Sequence, residues 1–204
     1  MLLDEFVPKW DFREDCTVKV KAPIDVTYRA IMEFTLAEVS PLVRVLSFLR
    51  TLPEKMVGRK YSTSDYHMPY LPQECRDFFT ELAREPPHEF VCGLIVPGDI
   101  GRVWKKSSDL NFRATDAQEF KVYTDPSHLK VAMSICLCDS GEPESIKLRA
   151  EWRIGALSPQ ARKKFTLYWR IIGPFSHLIQ KSLVKAVKRR AEKGALNNLK
   201  LKSI

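Results

Sequence analysis

Residues 158–204 read SPQARKKFTLYWRIIGPFSHLIQKSLVKAVKRRAEKGALNNLKLKSI. Within this stretch Phe165, Tyr168, Trp169, Ile172, Leu178, Ile179, Leu183 and Val187 recur mainly at steps of three and four, which gathers bulky apolar side chains on one side of a helix. The rest is cationic: twelve Lys/Arg stand against one acid, Glu192, a net charge of +11. Because the whole chain is +8, residues 1–157 carry −3. Ser158-Pro159 supplies a helix cap and a first-turn proline. Gly173-Pro174 is expected to kink the helix or split it into two pieces. Such a helix, placed after a series of alternating strands, predicts an α+β chain in which a curved antiparallel sheet wraps around a long C-terminal helix.

The strands are read outward from there. Residues 145–155 alternate most cleanly, with Ile146, Leu148, Ala150, Trp152 and Ile154 on one side and Lys147, Arg149, Glu151 and Arg153 on the other. Leu129–Cys138 and His88–Val96 are apolar runs bounded by turn residues, and Ala117–Tyr123 reads as a further strand. Phe12–Lys21 alternates with Glu14 as the one acid on its apolar side. Pro23 opens a helix from Ile24 in which Val26, Ala30, Ile31 and Phe34 share a face. Ser40-Pro41 starts a second, almost wholly apolar helix ending at Pro53. Residues 53–87, with a short helix over Gln73–Arg84, read as an insertion capping one end of the sheet. Asp99–Asp109 is a loop or short strand, and residues 195–204 form a tail.

Composition fits one folded domain of 204 residues, with 45% hydrophobic and 28% charged side chains. No run approaches the roughly 18 apolar residues of a membrane-spanning helix. The opening MLLDEFVP, with acids at positions 4 and 5, lacks the form of a secretory signal. Five scattered cysteines, Cys16, Cys75, Cys92, Cys136 and Cys138, read as reduced thiols, so a cytoplasmic location is expected.

Few constellations carry chemistry. His67, His88, His128 and His177 sit in no nucleophile motif, Cys136 and Cys138 have no partner pair at metal-ligand spacing, and phosphate-cradling glycine loops are absent. No catalytic residue, metal or cofactor is therefore assigned. The row Arg149, Glu151, Arg153 is either a solvated ion ladder outside the sheet or an anchor inside it. Because Ile146, Leu148 and Trp152 claim the inside, the outer placement is favoured. The candidate lining of an internal cavity is Phe120, Val131, Met133, Ile135, Leu148 and Trp152 from strands, with Phe165, Tyr168, Trp169 and Ile172 from the helix. Its mouth would lie between helix 24–36, segment 41–52 and the start of the C-terminal helix.

TVKVKAPIDVTYRAIMEF (residues 17–34), followed by KLRAEWRI (147–154) and SPQARKKFTLYWRIIGPFSHLIQKSLVKAVKRRAE (158–192), resembles the opening and closing elements of the START-like, or SRPBCC, superfamily, in a bacterial branch. The resemblance spans residues 10–194. It implies a helix-grip fold with a cavity between helix and sheet, in a superfamily of lipid carriers, hormone receptors, aromatase/cyclases and oxygenase subunits. It transfers no catalytic residues. The expected function is binding or carriage of an apolar or amphipathic small molecule such as a lipid, polyketide or aromatic metabolite. The alternative is a cyclase-, dehydratase- or hydrolase-type enzyme drawing on Glu151, Tyr168, His67 or Tyr66. The basic face (Lys163, Lys164, Lys181, Lys185, Lys188, Arg189, Arg190, Lys193) is expected to be solvated, with peripheral contact to an anionic membrane as the next reading and nucleic acid third.

Overall fold

The computed structural model of the chain describes residues 1–39, 69–72, 79–99 and 116–202. The helix expected from Ser40, the aromatic residues Tyr61, Tyr66 and His67, Cys75, and most of loop 99–109 lie outside the described residues. The described elements, in chain order, are α1 (Leu3–Phe6), β1 (Phe12–Val20), α2 (Ile24–Glu33), a 3-10 turn (Leu36–Glu38), β2 (Thr80–Glu85), β3 (Glu89–Pro97), α3 (Ala117–Val122), β4 (His128–Asp139), β5 (Ile146–Ala156) and α4 (Pro159–Lys202). The strands form one curved, open antiparallel sheet in the order β1-β5-β4-β3-β2, packed against α4.

Register fixes which side chains share a face. One row across the sheet is Glu14, Trp152, Met133 and Cys92; the row on one side of it is Phe12, Ile154, Val131 and Leu94, and the row on the other is Cys16, Ala150, Ile135 and Phe90. These face α4. Their apolar members pack with the helix in two clusters. One gathers Leu94, Val96, Leu129, Ile154 and Phe12 around Ala161 and Phe165 near the start of α4. The other gathers Val20, Phe90, Leu137, Ile146, Leu148 and α2 around Val184, Val187 and Ala191.

The opposite face is also covered. Leu3, Phe6 and Val7 pack with Phe120, Val91, Ile95 and Ala132 behind the sheet. Full burial of each such side chain stabilises the fold by about 1.5–3 kcal/mol. Gly93 makes room for this layer, because a Cβ there would come within 2.9 Å of the Phe120 ring.

Four sequence readings change. Ala117–Val122 is a helix: Asp116 Oδ1 accepts from the amides of Gln118 and Glu119 at 2.9 and 2.8 Å, which caps a helical turn. Residues 80–85 are strand β2, although Thr-Glu-Leu-Ala-Arg-Glu is composed largely of helix formers; ladder pairing with β3 overrides that local preference. Gly173-Pro174 does not split the helix into two pieces, since Pro174 lies inside one continuous α4, which packs on the sheet on both sides of that point. The expected tail continues the same helix to Lys202.

Candidate functional site

On the inner side of α4 the two apolar clusters leave a polar waist between them. Ser176 Oγ donates to Glu14 Oε2 at 3.0 Å, tying helix to β1. One turn later Gln180 Nε2 donates to the Ala150 carbonyl at 3.1 Å. That contact fixes the amide orientation and leaves Gln180 Oε1 buried with no partner among the described residues, in a side chain only 4% exposed. A buried, unmatched acceptor costs about 1–3 kcal/mol.

Glu14 is the lone acid that interrupts the apolar alternation of β1. Burial raises its carboxyl above the ordinary value, against the hydrogen bond from Ser176 and the nearby His177, which lower it. Beside it runs an open groove of about 600 Å³ between β1 and α4, lined by Arg13, Glu14, Trp169, Gly173, His177 and Leu178. Gly173 lets the Trp169 indole lie against the helix backbone, since a Cβ there would meet the ring at 3.3 Å.

Above the waist the aromatic groups interlock. Phe165 stacks on Trp169 at 5.6 Å and meets Phe12 edge-on at 5.2 Å. In the other cluster, Trp152 is edge-on to Phe79 at 5.6 Å. Phe165 is buried, whereas Tyr168, Trp169, Ile172, Val131, Ile135 and Trp152 keep part of their surface accessible. Val131, Ile135 and Trp152 belong to the central strands β4 and β5, on the side that carries the helix, so this accessibility lies in the middle of the sheet.

No family model matches the chain, and no curated protein matches it. Solved structures do. The chain is similar to a conserved protein from Geobacillus kaustophilus (TM-score 0.40, 10% identity, 89% of this chain and 96% of that one). It is also similar to TTHA0849 from Thermus thermophilus (TM-score 0.32, 9% identity, 88% and 97%) and to CalU16 from Micromonospora echinospora (TM-score 0.28, 12% identity, 90% and 86%).

The ten side chains picked from the sequence do not form one group. Val131, Phe165, Tyr168 and Trp169 belong to the cluster near the start of α4, with Ile172 on the following turn. Met133, Ile135, Leu148 and Trp152 belong to the cluster beyond the waist, where Leu148 is sealed in the core. Phe120 is behind the sheet, fully buried against Phe6, because α3 packs on that face. Leu178, read as inward, is 50% exposed on the outside of α4. In the sequence Glu14 stands out only as the acid interrupting the apolar side of β1, and Ser176 and Gln180 do not stand out as site residues, although a polar residue on an apolar face is a signal available there.

The Arg149-Glu151-Arg153 row lies on the outer face, yet Glu151 and Arg153 are buried there, because α1 and the residues after it cover them, and only Arg149 stays partly exposed. Glu151 is fully buried, accepts hydrogen bonds from Arg153 Nε at 2.8 Å and Arg149 Nη2 at 2.6 Å, and forms an ion pair with Arg13 Nε at 2.9 Å. Arg153 continues to Asp4 at 2.6 Å and the Val7 carbonyl at 3.2 Å. Burial alone would lower the Arg153 pKa, but hydrogen bonds and charge from Glu151 and Asp4 reverse the direction. A fully buried carboxylate engaged by three guanidiniums acts as a structural clamp, so Glu151 leaves the list of chemical candidates. No cluster of three or more His, Cys, Asp or Glu suited to a metal occurs among the described residues.

Proposed function

We propose that this chain binds one largely apolar small molecule, a lipid, polyketide or aromatic metabolite, between α4 and the inner face of the sheet. The START-like resemblance of the sequence leads to the same reading. The observation that carries it is the surface left accessible on Val131, Ile135 and Trp152 on the helix-bearing side of the sheet, together with the unmatched Gln180 Oε1. Because the waist offers acceptors, Gln180 Oε1 and the Glu14 carboxylate, the guest's polar group is a hydrogen-bond donor such as a hydroxyl rather than an anion.

Titration with a fluorescent polyene fatty alcohol and the matching fatty acid tests this, read by energy transfer from Trp152 and Trp169, alongside native mass spectrometry of protein purified from cells. Saturable one-to-one binding, tighter for the alcohol, is expected, and Gln180→Leu should narrow that preference several-fold. Absence of both a co-purifying mass and saturable binding would refute the proposal.

One observation favours chemistry in the same space. Glu14 is half-buried beside His177, with its pKa raised by burial, as a general acid or base requires. If the chain transforms its guest, a co-purified molecule incubated with wild-type protein changes mass, and one incubated with Glu14→Gln does not.

A further inference from the structure

The outside of α4 carries a second apolar line that the packing does not use. Leu167, Ile171, Phe175 and Leu178 are 68%, 63%, 46% and 50% exposed. Their steps of four, four and three put them on one face, over a length of about 16 Å. Exposed Lys163 and Lys164 precede the line and exposed Lys181 and Lys185 follow it, with Arg170 on its flank. The nearest acid to any of these in the described ion pairs is Asp99, 4.0 Å from Lys164. The one acid of residues 158–204, Glu192, pairs with Lys188 at 3.1 Å, further along the helix. The more distal cations are engaged as well: Arg190 holds Glu33 and Glu38, and Arg189 donates to the Glu38 carbonyl.

We infer that this face of α4, from Leu167 to Leu178, rests on an anionic lipid bilayer. An apolar stripe bracketed by cations matches the boundary between acyl chains and acidic headgroups: the four apolar side chains sink below the headgroups, while the lysine stems reach outward to the phosphates. A second copy of the chain suits the face poorly. Antiparallel pairing of two stripes sets Lys181 and Lys185 of one against Lys163 and Lys164 of the other, and parallel pairing sets like against like. The inference goes beyond the ligand reading and does not depend on it, since Leu167, Ile171 and Phe175, the three residues substituted below, do not line the groove beside Glu14, although Leu178 does.

Flotation of the full chain with vesicles of phosphatidylcholine alone, and of phosphatidylcholine mixed with phosphatidylglycerol, tests the inference. Binding to the mixed vesicles only is expected, with loss in 1 M NaCl, where the screening length is about 3 Å. Lys181→Gln and Lys185→Gln should each lower partitioning about fivefold. Leu167→Gln, Ile171→Gln and Phe175→Gln together should lower it at least tenfold without lowering the unfolding temperature, because the replaced side chains are exposed. Equal binding to uncharged vesicles, no binding at all, or binding retained by the triple variant overturns the inference. So does a dimer in sedimentation equilibrium that the triple variant converts to monomer. Fatty-alcohol titration without vesicles is unaffected by any of these outcomes, so either idea can fail alone.

Discussion

Glu14 is placed where its charge is costly. The folded protein holds this proton at pH values where the unfolded chain, near the ordinary 4.5, has lost it. Its contribution to stability is therefore unfavourable above the folded pKa, and the penalty fades as pH falls toward 4.5. Glu14→Gln keeps an acceptor for Ser176 and removes the charge. Urea midpoints should show the variant more stable than wild type at pH 7, with the gap closing on acidification; a gap independent of pH would contradict the assignment. The cysteines give a second residue-level test. Burial pushes the Cys136 thiol up to about 12, reinforced by Cys138, whose sulfur lies 3.2 Å away, and by Glu89. Cys138 is exposed and Cys92 is buried. Iodoacetamide at pH 8 should therefore label Cys138 well before Cys136 or Cys92 in the folded protein, as peptide mass mapping would show. Labelling of Cys136 first would refute this ordering.

Among the elements, α1 has the largest effect for its length. It closes the back of the sheet and holds a charge cluster in place: Leu2 N donates to Glu89 at 2.9 Å, and Asp4 receives Arg153. Phe6→Ala should cost about 3–5 kcal/mol in chemical denaturation. Glu151→Gln, which leaves Arg13, Arg149 and Arg153 crowded around a neutral amide, should cost about 3 kcal/mol. A loss under 1 kcal/mol in either would mean that α1 does not seal this face. The covering role of α1 was not legible, since four helical residues before a strand show no period of their own. The helical state of α3 was legible in principle: Asp116 followed three residues later by Glu119 is the spacing of a capping box, outweighed in the reading by the apolar Phe120 and Val122. Strand β2 was not, because its residues favour a helix and only pairing with β3 makes them extended.

At the scale of the whole molecule, alternation in β1, β4 and β5 and the long amphipathic helix were enough to read the architecture from sequence, because one buried face per element leaves a period of two or of 3.6. The divided interior was harder to see. Periodicity reports which face is buried, but the waist depends on register: Glu14 stands beside Trp152 only because β1 pairs with β5 as it does. The same limit placed Leu178 on the wrong side of α4, where two apolar lines share one helix and composition does not say which of them meets the sheet. The account rests on room being left under that helix, which Val131, half-buried on β4 between Ile154 and Leu94, would border. The decisive measurement is fatty-alcohol titration of Val131→Phe beside wild type, with thermal unfolding of the same samples. The account expects the larger ring to be accommodated with an unfolding temperature close to wild type and saturable binding abolished. Binding undiminished in the variant, or a loss of about 1–3 kcal/mol typical of an overfilled core, would contradict it.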